Sequence, residues 1–490
     1  MIVVLLVLFP LLAGLLLLLS NNEMAKKAAL FFSVIELLIT FYADYLVRMQ
    51  PTSALLSVNA PWIGSMGINF KLALDGISLI LVLLTNILMP IIILSSFSKE
   101  YKNANSFYAL MLFMQMALVG VFTAMDGFLF YIFWELALIP IYFICLLWGG
   151  HDRARITFKF FVYTLVGSLF MLVGLIVLYQ HTPGPIHSFD ISTLYKAGQS
   201  LDVRMQSFIF WCIFLAFAIK MPIFPFHTWQ PDTYVTAPTQ GTMLLSGIML
   251  KMGTYGLIRW LLPVVPLGVA EWGKFAIILS VIGIIYASCI AIVQKDFKRL
   301  IAYSSIAHVG LIAAATFAFN VQALQGALVQ MFSHGVNVVG LFFIVDIISS
   351  RTNTTQISEL GGIRNVAPQF AVKFLIVLLG SVALPLTNGF VGEFLLLNGL
   401  YQYNAWFTAF AGLGVILGAV YMLRSYQNIM LGETNSLTAT FTDLTFNEKA
   451  VLLPLVIMII GFGIFPKPLL GVTELPVKNL IDSIQLTVLP

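Results

Sequence analysis

Apolar runs of about twenty residues recur along the whole chain, each bounded by a few polar residues, glycines or prolines. A run of that length, coiled as a helix rising about 1.5 Å per residue, crosses a hydrocarbon layer of about 30 Å. The pattern predicts spans near 2–20, 27–47, 75–97, 106–125, 127–148, 157–179, 206–228, 237–261, 273–293, 299–319, 322–349, 367–400, 404–430 and 447–466. Short segments of alternating polarity, the mark of a membrane β-barrel, are not the rule here. The expected fold is an all-α polytopic membrane protein with about 14 transmembrane helices. The twelfth run is too long for one straight crossing. Only linkers 48–74 and 180–205 leave room for a small extramembrane element. The first run, Ile2 to Leu19, has no basic residue before it and no clear small-residue cleavage site, so it reads as a retained helix rather than a signal peptide.

Composition agrees. Of the 490 residues, 60% are hydrophobic and 9% charged, where soluble domains carry about 25% charged residues. The net charge of +4 comes from basic residues scattered among loops, which argues against a nucleic-acid surface. Cys145, Cys212 and Cys289 lie singly inside apolar spans, without a CxxC pair, and fit packing better than metal or disulfide roles. Loop charge sets the expected orientation. Loops after odd-numbered spans hold fifteen lysines and arginines, from Lys26 to Lys449; the even loops and the tail hold eight. That bias predicts odd loops in the cytoplasm and both termini outside.

Ionisable groups inside the spans cost about 2.5–3.5 kcal/mol each at the bilayer centre on insertion scales. Glu135 lies nine residues after Asp126, about 13 Å into its span. Lys251 lies eight residues before Arg259, about 12 Å in, and His308 nine residues after Arg299. Lys220, His334 and Glu393 also fall well inside their spans. Each has an ordinary reading alone. A lysine near a helix end snorkels, a buried histidine is often only a hydrogen-bonded core residue, and an acid serves as a structural counter-ion. Six such groups from six spans at one depth point instead to a proton relay. Gln330, His334 and Asn337 share one helix face, and Ser304 and Ser305 stand one turn before His308.

The stretch AIKMPIFPFH, Ala218 to His227, puts Lys220 beside two prolines. Pro222 has no N–H for the Ala218 carbonyl, nor Pro225 for that of Met221, so the helix is expected to break with free, wettable carbonyls. A simple kink is the plainer alternative. The twelfth run has a second break, at Pro385, Asn388 and Gly389, followed by Glu393. Each break is the fourth span of a five-span set, spans four to eight and nine to thirteen. An odd number of crossings inverts the second set, and paired interrupted segments mark a transport site. The expected organisation is a three-helix segment over 1–105, half-channels over 106–261 and 262–430, and a C-terminal helix and tail over 431–490.

The stretches FKLALDGISL (Phe70 to Leu79), FWELALIPIY (Phe133 to Tyr142), KMPIFPFHTWQPD (Lys220 to Asp232), APTQGTMLLSGIMLKMGTYGLIR (Ala237 to Arg259), QKDFKRLIAYSSIAHVG (Gln294 to Gly310) and GFVGEF (Gly389 to Phe394) resemble the antiporter-like membrane subunits of respiratory complex I, the proton-pumping NADH:quinone oxidoreductase. Within that family the chain is most similar to the M type. The long lateral helix of the L type is absent, and Glu393 stands where the L and N types are expected to carry lysine. The resemblance implies that Glu135 and Lys220 form the ion pair of the first half-channel and that Lys251 connects the halves. It implies that His308 and His334 continue the polar axis and that Glu393 exchanges protons with the outside. It also implies no cofactor in this chain, with FMN, iron–sulfur clusters and quinone in partner subunits. L-type and N-type neighbours, lipids and a bacterial inner membrane complete the expectation.

A lysine–carboxylate contact at about 4 Å is worth about 4 kcal/mol at an effective dielectric constant of 20. Movement of Glu135 against Lys220 would therefore switch how strongly the lysine holds a proton. A subunit of an Mrp-type cation/proton antiporter or of a membrane-bound hydrogenase is the alternative within the same motif set. An intramembrane hydrolase lacks support, because neither HExxH nor GxSxG occurs and the histidines are dispersed.

Overall fold

Aspartates and asparagines start many of the helices. Asp75, Asp126, Asp296 and Asn320 each accept backbone N–H bonds from the first turn of the helix they precede, satisfying donors that have no partner inside the helix. The computed structural model describes residues 1–488, with side chains through residue 484. Among these, eleven helices are long and apolar enough to cross a membrane, and two shorter helices are apolar too. The protein is a multi-pass α-helical membrane protein.

The chain opens with α1 (Ile2–Leu18) and α2 (Asn22–Met49), followed by a hairpin of β1 (Ser57–Ile63) and β2 (Ile68–Ala73). Then come α3 (Gly76–Ser95) and α4 (Ala104–Thr123). One crossing is split into α5 (Gly127–Leu136) and α6 (Leu138–Trp148). After α7 (Arg153–Gln180), the short α8 (Ile191–Gln199) and α9 (Val203–Lys220), the chain turns through residues 221–229 into α10 (Gln230–Thr236). The next crossing joins α11 (Thr239–Leu244) and α12 (Lys251–Gly256) through π-helical turns at Leu245–Met249 and Leu257–Leu261. There follow α13 (Pro266–Val293), α14 (Phe297–Phe317), α15 (Val321–Thr352) and the single turn α16 (Ile363–Val366). The last group is α17 (Pro368–Ser381), α18 (Asn388–Tyr403), α19 (Ala405–Met430), α20 (Phe446–Ile464) and α21 (Lys467–Val488).

The pillar of the bundle is α15, whose most apolar stretch is entirely buried. It packs against α3, α14, α17 and α18. A Cβ on Gly335 would stand 2.8 Å from both the Gly247 carbonyl and the Leu84 side chain. The absent side chain thus lets α15 touch the π-helical crossing one residue after His334, the close approach that small residues permit between membrane helices. Outer helices turn Phe31, Leu38, Trp406 and Ile416 outward. In water such a surface would aggregate; against lipid it is solvated.

The linkers expected to hold small elements do so. The β-hairpin of 57–73 meets the segment before α8: Gly67, at φ +59°, lies so close to the His187 carbonyl that a Cβ would be 1.9 Å from it. Lys71 and Asp190 form an ion pair across the same junction.

Several sequence expectations change. Lys467–Val488, expected as a tail, form the helix α21, which packs on α3 and α15. The fifth span breaks at Ala137, because Pro140 offers no N–H to the Leu136 carbonyl. Arg259, expected in a loop, is buried in the second π-helical turn and donates to both oxygens of Asp75 at 2.6 and 2.5 Å.

Candidate functional site

Four of the predicted residues meet in one cluster: Lys251 bonds to His334, His308 bonds to Glu393, and the two imidazole rings lie against each other between them. Lys251 opens α12 directly after a π-helical turn. Its Nζ donates to the Ser246 carbonyl at 2.5 Å and lies 2.9 Å from His334 Nδ1. When the lysine is protonated, Nδ1 accepts and Nε2 carries the ring proton, placed 3.1 Å from Ser305 Oγ. The His334 and His308 ring centroids are 5.7 Å apart. His308 Nδ1 is 2.8 Å from the Ser304 carbonyl, and Nε2 is 3.0 Å from the Ser381 carbonyl and 3.3 Å from Glu393 Oε1. Both nitrogens face oxygens that only accept, so the full set of bonds requires the doubly protonated ring, with Glu393 as its counter-charge. Gln330 Nε2 donates to Glu393 Oε1 at 3.3 Å.

The helices explain why these side chains meet. Gln330, His334 and Asn337 do share a face of α15, and Asn337 donates to the Gly380 carbonyl at the end of α17. The break between α17 and α18, residues 382–387, contains Pro385 and holds Ala383 and Leu386 at positive φ, +54° and +74°. A non-glycine residue there costs of order 1–3 kcal/mol, and such strain concentrates at functional sites. The break leaves the Ser381 carbonyl for His308 and brings Glu393, on α18, to the same place. Two small cavities adjoin the cluster. One, about 20 Å³, is lined by His308, Ser381, Glu393 and Tyr421. The other, about 10 Å³, lies among Ser304, Ser305, His308, Gln330, His334 and Asn337. A space of about 10–15 Å³ with several polar partners admits a water.

Glu135 and Lys220 stand apart from this cluster. Lys220 is the last residue of α9, at the negative end of the helix dipole. Its Nζ lies 5.3 Å from the centroid of the Trp134 ring, next in sequence to Glu135. Among the described residues the acid and the amine form no ion pair within 4 Å, and Glu135 Oε1 has no hydrogen-bond partner. Between Lys220 and Lys251, α9 presses against α12: a Cβ on Gly253 would be 2.9 Å from the Phe217 carbonyl and 3.0 Å from Met221 Cβ.

The free carbonyl expected at Ala218 is not free. Ile223 N–H closes a wider turn onto it at 2.9 Å, and the Trp229 indole donates to the Ile219 carbonyl at 2.9 Å. Pro222 and Pro225 do end α9, but the fold recaps the broken end. Polarity enters instead from side chains. His227 Nδ1, both amide atoms of Gln230 and the Tyr234 hydroxyl are buried without hydrogen-bond partners among the described residues. Such groups in one segment mark places for ordered water.

Two features escaped the sequence reading. The π-helical turns flanking Lys251 leave no mark in hydrophobic spacing; π-bulges favour functional sites. Glu36 lies nine residues after Lys27, the same rule that located Glu135, and was legible. It is fully buried on α2, bonded by Asn86 Nδ2 at 3.3 Å, while Gln115 Nε2 donates to Asn86 Oδ1 at 2.8 Å.

Comparison with known proteins places this geometry. The family described as NADH:quinone oxidoreductase/Mrp antiporter, TM, matches residues 124–419. NADH-quinone oxidoreductase subunit M of Rickettsia bellii (strain RML369-C) is 44% identical over 421 residues, 86% of this chain and 84% of that protein. NADH-ubiquinone oxidoreductase chain 4 of Arabidopsis thaliana is 36% identical over 423 residues, 86% of this chain and 84% of that protein. A chain of respiratory complex I from Thermus thermophilus with bound NADH superposes with a TM-score of 0.89 at 31% identity, covering 98% of this chain and all of that one. A chain of the Mrp complex from Dietzia sp. DQ12-45-1b shares the fold, with a TM-score of 0.86 at 19% identity over 99% of each chain. The matched region holds all six predicted ionisable residues together with both helix breaks, and the chain belongs to the NADH:quinone oxidoreductase/Mrp antiporter membrane family.

Proposed function

We propose that this chain is the M-type subunit of a respiratory complex I and carries protons across the membrane, driven by NADH:quinone electron transfer in partner subunits. The carrying observation is the run Lys251–His334–His308–Glu393, four titratable groups from four helix segments linked or nearly linked by hydrogen bonds. Its similarity to relatives named subunit M and chain 4 supports this assignment over an Mrp or hydrogenase subunit.

In this reading Lys220 takes a proton from the cytoplasmic side through water held at His227, Gln230 and Tyr234. Movement of Glu135 relative to Lys220 sets whether the lysine keeps it. The proton then passes to Lys251, along the bond to His334, across the neighbouring histidine ring and out by Glu393. The step from Lys220 to Lys251 has no direct bond and needs water or side-chain movement past Phe217 and Met221. Residues 106–261 and 262–430 act as inverted half-channels, each entered or left at its broken helix. FMN, iron–sulfur clusters and quinone belong to partner subunits, L-type and N-type chains are the membrane neighbours, and lipid covers the outer helices. The subunit resides in a bacterial inner membrane with both termini on the outer side.

The test is proton translocation per electron by the assembled complex in sealed vesicles. Lys251→Ala and Glu393→Gln should each lower it by about 10²-fold or more, the scale of losing a positioned proton-transfer group. Normal translocation in both variants would refute the reading. Dependence of the flux on sodium would favour the cation antiporter instead.

A further inference from the structure

Tyr421 on α19 separates two cavities that no part of the relay described above uses together. On one side is the small cavity containing His308, Ser381 and Glu393. On the other is a space of about 590 Å³, between the end of α13, the start of α14 and the last turns of α19. Its polar lining includes Gln294, Lys295, Arg424 and Asn428. Lys295 and Arg424 are exposed and have no ion-pair partner among the described residues. Lys295 precedes α14 in a loop that carries Lys298 and Arg299 as well, so this wide space opens on the basic face, which the loop charges assign to the cytoplasm.

The tyrosine is 2% exposed and lines both cavities, so its buried side chain stands between them. Its hydroxyl donates to Ser304 Oγ at 3.0 Å, and Ser304 Oγ lies 3.5 Å from His308 Nδ1. A path of hydroxyls therefore runs from the wall of the wide cavity to the histidine. Glu393, two contacts further on, is the group expected to open to the opposite side. A relay open to both faces at once would dissipate the gradient, so one element must shut the basic side whenever Glu393 faces out. Tyr421 is the residue common to both cavities that also bonds into the relay.

We propose that Tyr421 is a proton gate, its ring closing a second entrance from the basic face to His308 and Glu393 and its hydroxyl, with that of Ser304, relaying protons to His308 Nδ1 once the imidazole has given one up to Glu393. The second half of the chain then loads independently of Lys220. This inference rests on the proton-carrying reading above.

The experiment uses the assembled complex in sealed proteoliposomes with an internal pH dye. Passive proton entry is measured under an imposed pH gradient without NADH, and NADH-driven translocation separately. Tyr421→Ala should raise passive entry several-fold, and adding Glu393→Gln to it should return entry to the wild-type level, which a merely loosened bundle would not do. Tyr421→Phe keeps the ring and loses the hydroxyl. It should leave passive entry at the wild-type level and slow NADH-driven translocation several-fold. Unchanged passive entry in Tyr421→Ala overturns the gate, as does entry that persists with Glu393→Gln. Full-rate translocation in Tyr421→Phe overturns the relay, and this variant carries the test if the alanine protein fails to assemble. Wild-type behaviour of the Tyr421 variants alongside impaired Lys251→Ala and Glu393→Gln would sink this inference alone. Full translocation in the latter pair would sink the reading beneath it.

Discussion

Lys251 Nζ and His334 Nδ1 lie 2.9 Å apart, both fully enclosed by protein, with no carboxylate between them. Among the described residues, only the Ser246 carbonyl and the imidazole bond to the lysine amine. A proton moving along this bond passes between two helices without leaving the buried interior.

Replacing His334 with glutamine should separate solvation from transfer. The amide oxygen still accepts from Lys251, so the complex assembles, but an amide does not pass a proton on. Translocation should fall by about 10²-fold, the lower end of the range for a lost acid–base group. Removing the partner altogether, in His334→Ala, should also lower the amount of assembled complex, since a buried donor left without its acceptor costs about 1–3 kcal/mol. Equal assembly and equal pumping in the two variants would contradict this division.

Asn86 is the hub of a buried polar group on the far side of α3. It donates to Glu36 and to Thr40 Oγ1 and accepts from Gln115. Asn86→Leu should destabilise the complex by several kcal/mol, because each buried polar group left without a partner costs about 1–3 kcal/mol. The combined change with Glu36→Leu and Gln115→Leu should recover part of that loss. Thermal unfolding of the purified complex reports both.

Gly335 sets the distance between α15 and the Lys251 crossing. A Gly335→Val side chain would meet the Gly247 carbonyl and Leu84 within contact distance, so the helices must part. Overpacking of this kind costs about 1–3 kcal/mol. It would also stretch the Lys251–His334 bond, so pumping should fall further than stability does. A variant with lowered melting temperature and intact translocation would show that this spacing is not critical.

Outside the membrane, burial pushes the Asp190 carboxyl up, but hydrogen bonds from Lys71 and Ser192 outweigh it and hold the group below the usual carboxylate range. A carboxyl lowered in the folded state contributes stability above its unfolded value, about 3.9, and loses it as pH falls through the folded value. The junction between the β-hairpin and α8 should therefore loosen below about pH 4. Amide exchange over 189–199 should rise there, and Lys71→Met should move that rise to higher pH. Exchange in this segment that is indifferent to Lys71 would refute the link.

The multi-pass α-helical architecture was legible in the chain itself. Run length against bilayer thickness predicted about fourteen crossings, where the described residues hold eleven helices of spanning length and two shorter apolar ones, and counting residues from Asp126, Arg299 and Arg259 singled out Glu135, His308 and Lys251. The same count would have found Glu36. Prolines at 222, 225 and 385 marked where helices must stop, because a missing N–H is a local fact. What proline leaves behind is not local. The Ala218 carbonyl looked free and is taken by Ile223, since the chain after a break can fold back in ways that spacing does not reveal.

Partnership likewise belonged to the tertiary structure. Depth alone put six groups on one level, whereas the packing joins four of them and leaves Glu135 and Lys220 behind Phe217 and Met221. The π-helical turns around Lys251 and the wall that Tyr421 makes between two cavities depend on side chains far apart in sequence. Periodicity reports how each helix meets lipid or protein; it carries no record of which neighbour's donor or acceptor stands opposite. That is decided when glycines such as Gly335 and Gly253 let particular helices come close enough for hydrogen bonds to form.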